Sequence, residues 1–121
     1  MLSGVNAAVA LLSGAFAAVA IASPQALVGS PVVAGPIAGF YVDMYALRAL
    51  VIAAGVITAS LTMRRTPLVS ALVLASGGLI QLGDVAIALH FGTPGVLGAS
   101  IAAALHLASA ALLLLYVRRP R

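Results

Sequence analysis

Asp84 lies near the middle of a hydrophobic stretch from Leu68 to Phe91, and Arg48 lies in a second stretch, from Phe40 to Met63, together with Asp43. These two aspartates are the chain's only acids. A charge among Ala, Leu, Val and Ile costs several kcal/mol unless it finds a partner, water or a proton. Function is therefore expected at these few polar positions. The chemistry they offer is proton transfer without redox. Asp84 is the candidate acid or base, Arg48 the group that tunes it or holds an oxyanion, and His106 a second proton-carrying group.

Other chemistries have no support in the residues. The chain has no Cys, which removes disulfides, thiol catalysis and thiolate metal ligands. Its two His residues, His90 and His106, have no His or carboxylate at i+3 or i+4, so no metal site is expected. Neither a P-loop nor a dinucleotide-binding glycine pattern is present, and no cofactor is expected.

Composition fixes the setting of these groups. Of 121 residues, 64% are hydrophobic and 7% charged, and the mean hydropathy is +1.24. A soluble domain carries about a quarter charged residues, so the expected class is an all-α integral membrane protein whose partner is the lipid bilayer. The net charge of +4 does not indicate a nucleic-acid partner. Five of the six Arg fall into two clusters, Arg64-Arg65 and Arg118-Arg119 with Arg121, at the ends of apolar runs. Such clusters set orientation in a membrane.

Four apolar runs predict a four-helix transmembrane bundle in one domain, with spans at about 5–22, 40–63, 68–91 and 94–117. Twenty-four residues reach ~36 Å, enough to cross a ~30 Å hydrocarbon core with some tilt. The first run resembles a signal peptide at Ala20-Ile21-Ala22 but lacks a basic leader, so a retained helix is expected. The loop at 23–39, rich in Pro and Gly, has room for a re-entrant or interfacial segment. Both Arg clusters share one side, which the positive-inside rule makes cytoplasmic. The expectation is a multi-pass protein of the cytoplasmic (inner) membrane, with both termini inside. Small residues at Gly35 and Gly39, at Ala99, Ala103 and Ala110, and at Gly77-Gly78 would let helices approach closely.

Counting from the outer helix ends, Arg48 lies ~12 Å deep, Asp84 ~10 Å and His106 ~18 Å. Opposite charges at matched depth on consecutive helices predict an Arg48–Asp84 pair. Gln81 shares a face with Asp84, and Tyr45 and Tyr41 share one with Arg48. Together with His106 these residues predict a polar cavity open to the outer side, with Tyr41, Tyr45, Gln81 and Asp43 as candidate substrate contacts. Asp43, ~4.5 Å from its helix end, also fits an interfacial role, and His90 sits at the outer boundary. Each group has a structural alternative. The ion pair can simply lock two helices, His106 can bond Ser109 or a backbone carbonyl, and Gln81 can bridge helices. Tyr41, Tyr45 and Tyr116 also fit an aromatic belt at the interfaces.

The run from Asp43 to Arg48 with Gly55, the Arg64-Arg65 turn and the Gly83-Asp84 pair together resemble a family of small four-helix membrane proteins of unknown function in the wider DoxX-like group. The resemblance covers about three-quarters of the chain. Where that family often has an acid directly after the Arg, this chain has Ala49. The resemblance implies the four-helix fold and draws attention to Arg48 and Asp84; it implies no activity.

Three functions compete. The first is a site that binds or transforms a lipophilic small molecule by acid/base chemistry of the isomerase or cyclase kind. The second is a structural or accessory membrane subunit. The third is a small transporter working as a homodimer, for which the spans show no inverted repeat.

Overall fold

The computed structural model describes residues 2–23, 36–92 and 96–118. The expected re-entrant segment of the long loop, the Pro94 start of the last span, and Arg119 and Arg121 lie outside these residues. Four helices make up almost all of the described chain, which has no strand: α1 (Leu2–Ala22), α2 (Pro36–Thr62), α3 (Pro67–Phe91) and α4 (Val96–Arg118). All four are long and apolar enough to cross a membrane. The chain is an all-α, multi-pass membrane protein.

The helices follow from the Ala- and Leu-rich runs, which combine high helix propensity with internally satisfied backbone groups. Their ends extend further than apolarity alone predicts. α1 begins at Leu2 rather than Val5, and α2 begins at Pro36 rather than Phe40. Proline suits a first helical position because its missing N–H would be unpaired there in any case. Pro67 does the same for α3, whose other end is closed by Gly92 at φ +63°, with its N–H bonded to the Ala88 carbonyl. Hydroxyls within α2 are satisfied locally. Thr58, Ser60 and Thr62 each donate to the carbonyl four residues back.

The bundle consists of two closely packed antiparallel pairs, α1 with α2 and α3 with α4. They are joined by a looser α2–α3 seam and a small α1–α4 contact. Close packing depends on small side chains. Ala10, Ala53, Val56, Ala59, Leu74 and Ala110 form the core. A Cβ on Gly78 would come within 2.6 Å of Leu107 Cγ, so α3 and α4 touch at a point that only glycine allows. Gly77 faces Val56 in the same way, at 3.2 Å. Gly39, by contrast, has nothing within 4 Å of its Cβ position and mediates no helix contact. The outer surface is Leu, Val, Ile and Phe, as a lipid-facing surface requires.

The Ser3 hydroxyl donates to the Ser60 carbonyl, and Asn6 meets Ser109. These contacts set the start of α1 beside the end of α2 and the second half of α4. Arg64, Arg65 and Arg118 therefore belong to one end of the bundle, called here the arginine end.

Candidate functional site

Arg48 and Asp84 meet as the sequence predicts. Arg48 Nη2 donates to Asp84 Oδ1 at 2.6 Å, the one ion pair among the described residues. The pair bridges α2 and α3 across the loose seam. Its two members differ in exposure: the Asp84 side chain is 12% exposed and that of Arg48 is 44%. Arg48 lies fourteen residues before Thr62, ~21 Å along the helix axis and well inside the membrane-spanning length of α2, so its exposed part faces the bilayer. A guanidinium has five N–H donors. The bond to Asp84 leaves others available to a further acceptor.

Tyr45 completes this group. One turn before Arg48, its ring lies under the guanidinium, with Cζ 4.5 Å from the ring centroid. That is within cation–π range. The Tyr45 phenol also interacts electrostatically with Asp84. A phenol, a guanidinium and a carboxylate thus converge on the lipid-facing side of one seam. Together they can bind a carbonyl or oxyanion and exchange a proton with it.

The remaining candidates divide. Gln81 is half-buried one turn from Asp84 on α3. Tyr41 is exposed and packs edge-on against Phe40, its rings 5.6 Å apart at 72°, as a belt residue does. Asp43 is exposed and takes no part in the ion pair. Tyr116 is exposed near the arginine end, and His90 lies in the last turn of α3.

His106 does not join Asp84. It is held in a separate buried group: His106 Nδ1 lies 2.7 Å from Asn6 Oδ1, and Asn6 Nδ2 donates to Ser109 Oγ at 2.7 Å and to the Leu2 carbonyl at 2.9 Å. Asn6, His106 and Ser109 are 1%, 3% and 1% exposed. A carbonyl only accepts, so the Leu2 contact fixes which amide atom of Asn6 is nitrogen. The oxygen then faces the ring, and His106 Nδ1 must carry the proton. The ring edge lies against Gly77, with Cδ2 3.8 Å from that residue's Cβ position. Gly77 is two turns from Asp84, ~10 Å along α3. The single outward-opening cavity expected around Tyr41, Tyr45, Arg48, Gln81, Asp84 and His106 is therefore replaced by two separate polar groups, one facing lipid and one buried.

Asn6 is the residue that sequence reasoning missed as a partner. It was visible only as a polar interruption early in the first apolar run. Counting from the helix ends puts Asn6 ~6 Å and His106 ~18 Å from the arginine end. Their contact shows that the helix ends are not level. A lone Asn in a membrane span was the available signal, since such residues bond across helices.

Two cavities open near the arginine end. One, of about 470 Å³, is lined by Leu2, Ser3, Ser60, Leu61, Met63 and Arg64. The other, about 320 Å³, lies in the α2–α3 seam among small and hydroxyl residues, Gly55, Thr58, Thr62 and Ser70 among them. No cluster of three or more His or carboxylate groups suited to a metal occurs among the described residues. Neither a family model nor a curated protein nor a solved structure matches the chain.

Proposed function

We propose that this membrane protein binds a lipophilic small molecule at the α2–α3 seam and acts on it by redox-free proton transfer. Arg48 takes the polar end of the molecule, a carbonyl or oxyanion. Asp84 and Tyr45 exchange protons with it, while the hydrocarbon part stays in the bilayer. One observation carries this reading: Arg48, bonded to Asp84 at 2.6 Å and stacked on Tyr45, still remains 44% exposed within a membrane span. A guanidinium exposed to hydrocarbon needs an acceptor there, and a membrane-dissolved molecule with a polar end supplies one. Isomerisation and ring closure are the reaction classes such a site suits. His106, held by Asn6, has no part in it. By the positive-inside rule the arginine end faces the cytoplasm, which sets the site in the outer half of a cytoplasmic membrane.

The test is to purify the protein from its membrane and identify bound lipophilic molecules by mass spectrometry. The reading expects a defined molecule on the wild type that Arg48→Gln loses. With that molecule as substrate, Asp84→Asn abolishes turnover while the protein stays folded. Full turnover by Asp84→Asn would remove the catalytic role.

A second reading also has an observation behind it. The same ion pair joins the two close-packed helix pairs, as a structural lock in an accessory subunit would. In that case Arg48→Gln and Asp84→Asn both lower thermal stability in detergent, and exchanging the two charges restores part of it.

A further inference from the structure

The α2–α3 seam has a second feature, at its other end. Ser70 is 1% exposed, and its Oγ is the one buried side-chain polar atom without a hydrogen-bond partner among the described residues. It lines the groove of about 320 Å³ that runs from Thr62 and Val69 inward to Ala54 and Val73. An unpaired buried hydroxyl costs free energy, and a rotation of the side chain that turns it onto an acceptor in the groove removes the cost.

We propose that this groove holds one acyl chain of an anionic ester-linked glycerolipid, with the ester carbonyl accepting from Ser70 Oγ and the phosphate lying against Arg64 and Arg65. Depth supports this placement. Ser70 is three residues into α3, ~4.5 Å from the helix start, the level at which ester carbonyls sit beneath headgroups. Charge supports it as well. The turn that closes this end of the groove carries Arg64 and Arg65, both exposed, and the Arg65 N–H holds the turn by bonding the Thr62 carbonyl at 2.8 Å. Basic residues at a membrane surface attract anionic headgroups. Val69, at the edge of the groove, is exposed and apolar.

From Thr62 to Ala54 the groove is ~12 Å long, and its inner walls are the small side chains of Ala54, Gly55 and Ala59, which suit a flexible hydrocarbon chain. Thr58 and Thr62 already donate to their own helix, leaving Ser70 as the donor that selects the ligand.

The full-length protein in detergent would be titrated with defined lipids and bound lipid counted by native mass spectrometry. Diester phosphatidylglycerol should be retained over diester phosphatidylcholine and over the diether form of phosphatidylglycerol. Ser70→Ala should lower its retention about threefold to tenfold, the worth of one hydrogen bond. Arg64→Gln with Arg65→Gln should lower it more than about tenfold. Gly55→Leu should block the groove; a Cβ there meets only Val73, at an ordinary 3.7 Å, so the helix pair tolerates substitution. Ser70→Ala removes only an unpaired hydroxyl and leaves the melting temperature unchanged or higher, so its loss of lipid is not unfolding. Equal retention of phosphatidylcholine and phosphatidylglycerol, or wild-type retention by Ser70→Ala, overturns the proposal. So does stabilisation by inorganic phosphate alone equal to that by the lipid.

Discussion

The bundle has two polar groups within its apolar helices, and they are built on opposite plans. Asn6, His106 and Ser109 are neutral or protonatable groups sealed in the interior, each bonded to another, tying α1 to α4. Arg48, Asp84 and Tyr45 are charged or phenolic groups on the α2–α3 seam, turned partly toward lipid. Both groups connect one close-packed helix pair to the other. The buried group has its polar atoms turned on one another, as structure requires. The lipid-facing group leaves its guanidinium 44% exposed, which structure alone does not require.

The contrast predicts a division of labour between stability and binding. The largest stability loss should follow Asn6→Ala, which leaves His106 Nδ1 and Ser109 Oγ buried without their partner. The expected cost is about 2 kcal/mol, measured by titrating the reconstituted protein with a denaturing detergent. Adding His106→Leu to an Asn6→Leu background should recover part of the loss, because an apolar pair needs no partner. Asp84→Asn should cost less, because Asn keeps a hydrogen-bond acceptor for Arg48, whose side chain is 44% exposed and long enough to carry its charge toward the membrane surface. A double-mutant cycle with Arg48→Gln measures that coupling directly.

Smaller effects sharpen the comparison. Tyr45→Leu keeps an apolar contact but removes the ring face beneath Arg48, and should cost about 0.5–1 kcal/mol. Its effect on ligand retention should exceed its effect on melting. Asp43→Asn should change neither, because Asp43 is exposed and outside the ion pair. A measurable loss of ligand in Asp43→Asn would extend the site to the membrane surface.

The two groups also differed in how far the sequence revealed them. Apolar runs of membrane-spanning length made the four helices legible, because in hydrocarbon the backbone leaves few alternatives. Arg48 and Asp84 were legible as a pair because they are opposite charges at similar depth on consecutive helices. The Asn6–His106 contact joins residues one hundred positions apart on the first and last helices. It depends on the order of helices around the bundle and on their stagger, and neither is encoded in any local pattern. The helix starts at Leu2 and Pro36 were hidden for a related reason. Ser3-Gly4 and Gly39 look like boundaries in hydropathy, yet the Ser3 hydroxyl is satisfied on the Ser60 carbonyl, and Gly39 lies within α2 with open space beside it.

The central claim is that the lipid-facing group binds and the buried group only holds. The most direct measurement is the content of co-purified lipophilic molecule, by mass spectrometry, in the wild type, Arg48→Gln and Asn6→Ala in matched lipid nanodiscs. The account predicts that Arg48→Gln loses the molecule with a modest change in melting, and that Asn6→Ala melts markedly lower yet retains it. Retention by Arg48→Gln together with loss from Asn6→Ala would contradict the account and move the site to the buried group.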